Sequence, residues 1–115
     1  MTNAKARKQC DALKGAAADY PFGPDAVVYK VGGKMFALLT TAKPWRISLK
    51  CDPEFARLLR ERYASVIPGY YLNKQHWNTI DLGGDVPDAE LREQIAQSYE
   101  LVVASLTKRQ RAELG

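Results

Sequence analysis

The side chains richest in recognition chemistry fall in one run, Pro68 to Leu82, PGYYLNKQHWNTIDL. It holds the chain's single His, His76, one of its two Trp, Trp77, and the adjacent Tyr70 and Tyr71. Three amides, Asn73, Gln75 and Asn78, and one cation, Lys74, stand among those rings. Rings stack, amides donate and accept, and an ammonium attracts anions, so the set can bind without performing a reaction. One His with no paired acid does not make a general base. Gly32-Gly33 lies outside any G-x-G-x-x-G pattern, and no nucleophile–base pair or metal-ligand cluster is visible. No catalytic residue, metal or cofactor is therefore expected, and a non-catalytic binding surface is.

The elements that must hold this run are legible around it. Pro68-Gly69 is a turn signal. Asn73 can cap a short helical turn through Gln75 and His76, which makes it as readily a cap as a contact. Trp77 to Leu82 alternates, with Trp77 and Thr79 on one face and Asn78, Ile80 and Leu82 on the other. The expected order is turn, short helical turn, strand. Trp77, at the head of a strand, is read as core rather than platform, and His76 as a structural hydrogen-bond partner.

Upstream, Ala6, Cys10, Leu13 and Ala17 recur at helical spacing and predict a helix from about Asn3 to Ala18. Pro21 and Pro24 break the chain. Ala26–Val31 and Lys34–Thr40 flank Gly32-Gly33, a two-residue hairpin signal. Thr41 to Pro44 turns into a third strand, Trp45–Lys50. There Trp45, Ile47 and Leu49 share one face, and Arg46, Ser48 and Lys50 the other. An antiparallel meander follows, with helices on one face and a basic face at least partly open. Asp52-Pro53-Glu54 starts a helix whose inner stripe reads Phe55, Leu58, Leu59 and Tyr63. Asp88 caps a long helix with the line Leu91, Ile95, Tyr99, Val102 and Leu106, and Thr107 to Gln110 matches a capping box opening a last short helix.

The 115 residues make one domain, and 46% hydrophobic content suffices for a core. Net charge is +4, unevenly placed: residues 1–50 carry nine Lys/Arg against three Asp, residues 51–115 eight against ten acidic groups. A basic half permits a polyanionic partner without demanding one. Cys10 and Cys51 are too few and too far apart for a zinc knuckle and read as buried free thiols. No signal-peptide run and no stretch of ~18 apolar residues occurs, so a cytoplasmic protein is expected.

The order of residues resembles the MmcQ/YjbR family of small bacterial proteins. The resemblance rests on YPFGPDAVVYKVGGKMFALL, ISLKCDPEFARLLRERY, IPGYYLNKQHWNTIDL and DVPDAELREQIAQSYELVVASL, and covers about Cys10 to Leu114. It implies an α+β single domain, residues 1–115, with a twisted antiparallel sheet and helices packed on one face, likened to the CyaY (frataxin-like) fold. It also implies DNA binding, the activity by which the family is described.

The residues add a candidate surface to that implication. Lys30, Lys34, Arg46 and Lys50 would follow phosphates along the sheet. Tyr70 and Tyr71 would stack bases, and Asn73, Lys74, Gln75, His76 and Asn78 would meet base edges, sugar or phosphate. The same lysines and Arg46 read equally as a solvated sheet face. DNA, single- or double-stranded, is the expected partner, bound by a monomer. The alternative is a protein–protein interaction or adaptor module using the Tyr70–Trp77 patch. Iron handling would need clustered carboxylates, whereas Asp11, Asp19 and Asp25 are scattered among lysines.

Overall fold

The described residues form one six-stranded sheet through five antiparallel pairings, in chain order except that the last strand inserts between the fourth and the fifth. One helix lies ahead of the first strand and the others between or after strands. A computed structural model describes residues 1–69 and 72–115. The elements are α1 (Asn3–Ala12), β1 (Ala17–Asp19), β2 (Ala26–Val31), β3 (Lys34–Thr40), β4 (Arg46–Lys50) and α2 (Pro53–Arg62). They continue with β5 (Val66–Pro68), β6 (Trp77–Asp81), α3 (Asp88–Ser105) and α4 (Lys108–Glu113). The architecture is α+β, as the sequence predicts.

The β2–β3 hairpin turns at Gly32 and Gly33, with φ of 59° and 80°, the paired left-handed conformation that a two-residue hairpin needs. A side chain at Gly32 would also collide with Leu106. Helices α1 and α3 pack on each other and on β3, while α2 covers β5 and β6. Between helices and sheet lies the core: Val27, Tyr29 and Val31 from β2, Phe36, Ala37 and Leu39 from β3, Ile47 and Leu49 from β4, and Ile80 from β6. Leu91, Ile95, Tyr99, Val102 and Leu106 are all buried, so the long helical stripe does what its period predicts.

Phe36 and Ala37 both contribute to that core because the register shifts between Tyr29 and Lys30, leaving Phe36 as the extra residue of a bulge. Direct β3–β4 pairing stops at Ala37 and Leu49. Beyond it, Ser98 of α3 bridges the strands: its hydroxyl donates to the Phe36 carbonyl at 2.6 Å and accepts the Lys50 N–H at 2.8 Å.

Three expected elements differ. Helix α1 ends at Ala12, not Ala18, because Gly15 turns with φ 75° and Leu114 occupies the space a β-carbon there would need. Ala17–Asp19 then pairs with β2 as an edge strand. Helix α2 is rotated from its expected face: Ala56 and Leu59 are buried, whereas Leu58 is 51% exposed. The small Ala56 lets the helix approach Asn78, whose amide donates to the Ala56 carbonyl. Helix α3 begins at Asp88 with Pro87 at its cap position, and the Asp88 carboxylate pairs with the terminal ammonium at 2.7 Å. The capping box at Thr107 and Gln110 forms as expected, and Cys10 and Cys51 are buried free thiols.

Candidate nucleic-acid interface

Register sorts the helix-free face of the sheet into three rows. Val28, Leu38, Ser48, Thr79 and Ile67 lie opposite one another in sequence across β2, β3, β4, β6 and β5. One end row holds Ala26 opposite Thr40, and Arg46 opposite Asp81. The other holds Lys30 opposite Met35, and Lys50 opposite Trp77. Arg46 and Lys50 stand four residue steps apart on extended chain, about 13 Å. The face is thus an apolar and hydroxylic middle between two charged ends. Its central hydroxyls, Ser48 and Thr79, share a buried hydrogen bond of 2.7 Å.

The turn Asn73–His76 leads directly into Trp77, so it lies at the Lys30/Lys50 end. Several bonds hold it. Asn73 Oδ1 accepts the N–H groups of Gln75 and His76, the cap that its position predicts. Lys74 Nζ donates to the Gly69 carbonyl at 3.0 Å, and the His76 carbonyl accepts the Cys51 N–H at 2.8 Å. Arg60 reaches across from α2 to the Lys74 carbonyl and, at 2.7 Å, to Asn78 Oδ1. The Asn73, Lys74, Gln75 and His76 side chains remain exposed on this clamped turn, and Trp77 is half-buried beside it.

The predicted site residues therefore divide. Lys30, Lys50, Asn73, Lys74, Gln75 and His76 come to one end of the open face. Lys30 also pairs with Asp19 at 3.8 Å, an exposed contact of little strength. Arg46 sits at the opposite end. Lys34 leaves the face altogether, because the bulge puts it on the helix side, where its ammonium meets the Ser105 carbonyl and hydroxyl at 3.4 Å. Asn78 is 2% exposed and its amide is spent on Arg60 and Ala56, so it is an internal tie rather than a contact. Tyr70 and Tyr71 lie outside the described residues. Trp77, expected in the core, stands on the open face beside Lys50. Arg60 of α2 lies outside the expected set, yet it positions the turn. The signal for it was Asn78 itself, an amide on the inward side of a strand with Ile80, which requires a buried partner.

Electrostatic perturbation lies elsewhere. Burial pushes the Cys10 thiol up to about 12, with the nearby Asp11 adding to it, and burial likewise raises Cys51 to about 11. Neither thiol is a reactive nucleophile. Burial also raises the Tyr29 phenol, opposed by the hydrogen bond from Arg7. Asp85 is held below the ordinary carboxylate range by hydrogen bonds from the Ser65 hydroxyl and backbone. Among the described residues, no helix is long and apolar enough to cross a membrane.

A model of the YjbR family matches residues 11–101, most of the chain. The chain belongs to the YjbR family. It is 34% identical to the Escherichia coli K12 protein YjbR over 113 residues, covering 96% of this chain and 95% of that one. It is 42% identical to YbdF of Escherichia coli O157:H7 over 92 residues, 78% of this chain and 75% of the relative. A crystal structure of a Deinococcus radiodurans protein superimposes with a TM-score of 0.92 at 42% identity, over 99% of this chain and 88% of that one. A Pseudomonas syringae crystal structure follows at 0.78 and 26% identity, over 89% and 99% of the two chains. Family and fold thus agree with the sequence resemblance.

Proposed function

We propose that this family member binds DNA, without catalysis, through the Lys30/Lys50 end of its open sheet face and the adjoining Asn73–His76 turn. The observation that carries the reading is the juxtaposition of Lys30, Lys50 and Lys74 with exposed amides and the half-buried Trp77 at one end of a helix-free face. Lysines spaced along strands attract phosphates, Gln75 and His76 offer polar contacts to sugar or base edges, and a partly exposed indole offers a stacking plane. The turn is clamped by Arg60 and its own cap, so little ordering is required on binding. Compared with the surface expected from sequence, this one excludes Lys34, Arg46 and Asn78.

Fluorescence anisotropy with single- and double-stranded DNA, titrated over salt, tests it. Affinity falls with salt in proportion to the phosphates neutralised. Lys50→Glu/Lys74→Glu weakens binding to any sequence and flattens the log–log salt slope by about two. A folded double variant that binds as well as the parent overturns the reading. Binding that ignores salt would do the same and would favour the protein-interaction alternative.

A further inference from the structure

The middle of the open face is hollow. Phe22, from the loop between β1 and β2, and Leu72, just ahead of the Asn73 turn, stand over Leu38 and enclose a cavity of about 500 Å³. Its floor is the buried hydroxyl pair of Ser48 and Thr79. That volume lies within the range of small-molecule sites, roughly 300–1,000 Å³. The walls are mainly apolar, and Phe22 is 69% exposed, a large ring held in water at the mouth.

Two charged residues also line the cavity, Arg46 and Asp25. Asp25 is exposed and well hydrated, whereas Arg46 is half-buried. The Arg46 N–H donates to Thr40 Oγ1, but its guanidinium has neither a hydrogen bond nor an ion pair among the described residues. A five-donor fork set partly out of water beside an apolar wall, with no acceptor within hydrogen-bond reach among the described residues, matches a carboxylate. We propose that this cavity binds a small apolar carboxylate, its branched or aromatic body against Leu38 and Phe22 and its carboxylate on Arg46. Asp25 lines the same cavity and disfavours further negative charge beyond the one Arg46 balances, so the site selects monoanions over dianions and polyphosphates. It lies at the opposite end of β4 from Lys50, and it neither requires nor is required by DNA binding.

Phenylacetate, isovalerate and the neutral isostere phenylacetamide are the probes. Titrated by NMR at millimolar concentrations, phenylacetate and isovalerate should move the amide resonances of Leu38 and Ser48 while leaving Lys30 in place. Phenylacetamide should bind about tenfold more weakly, and Arg46→Met should lose about the same factor for phenylacetate, as expected for loss of a charge-assisted hydrogen bond. Leu38→Trp should fill the cavity and abolish binding, while melting close to the parent because Leu38 is only half-buried. The proposal is overturned by unmoved Leu38 and Ser48 resonances, by equal binding of acid and amide, or by an Arg46→Met protein that binds phenylacetate as tightly as the parent. Should Arg46→Met fail to fold, the acid–amide comparison on the parent decides.

Discussion

Ser98→Ala removes one oxygen from the middle of the molecule, and the expected loss is large for so small a change. The residue is fully buried, and its hydroxyl serves two backbone groups, the Phe36 carbonyl and the Lys50 N–H, where direct β3–β4 pairing has stopped. Alanine fits the space but satisfies neither group. An unsatisfied buried polar group costs about 1–3 kcal/mol, so the pair should cost roughly 2–6 kcal/mol. At ~2.1 cal/mol/K per residue, unfolding this chain carries about 240 cal/mol/K, and Tm should fall by about 8–25 °C. Calorimetry or a urea titration reads this directly. Ser105→Ala is the control, since that exposed hydroxyl donates back to the Val102 carbonyl of its own helix and otherwise meets only the exposed Lys34 ammonium, and its loss should stay within about 0.5 kcal/mol. A Ser98→Ala protein melting within about 2 °C of the parent would refute the reasoning that this hydroxyl replaces the ladder bond.

Ile95→Ala, at a fully buried position of α3, should cost about 2–5 kcal/mol in a urea titration, as a large-to-small core change. Cys10 and Cys51 should resist alkylation in the folded protein at pH 8 and react once denatured. Because folding raises both thiols, their contribution to stability is complete below the unfolded value of about 8.5 and declines as pH rises toward 11, visible as an alkaline fall in Tm. Asp85 and Asp88 are shifted down, by Ser65 and by the terminal ammonium. Their stabilisation is present above the unfolded value of about 3.9 and lost as pH falls below it, and Asp85→Asn should flatten the acid limb of a Tm–pH profile.

Local rules were enough for the elements whose residues answer to their own neighbours. Gly32-Gly33 can hardly be anything but a hairpin turn, Thr107 and Gln110 satisfy each other within one helical turn, and Leu91 through Leu106 repeat at the helical period over more than four turns. The alternation of Trp77 to Leu82 likewise separates the inward Asn78 and Ile80 from the outward Trp77 and Thr79 before any partner strand is known. Tertiary structure decided what depends on distant residues. Leu114, almost a hundred residues away, sits over Gly15, where α1 gives way to β1. The bulge at Phe36, held by Ser98 from the far end of the chain, turns Lys34 toward α3 and leaves Lys30 with Lys50. The β4–β6 register sets Lys50 opposite Trp77, where the turn enters, and Arg46 opposite Asp81 at the other end of the same strand, beside the cavity. A residue's face follows from its neighbours along the chain, but which charges share a surface follows from register and packing, and those are properties of the whole fold.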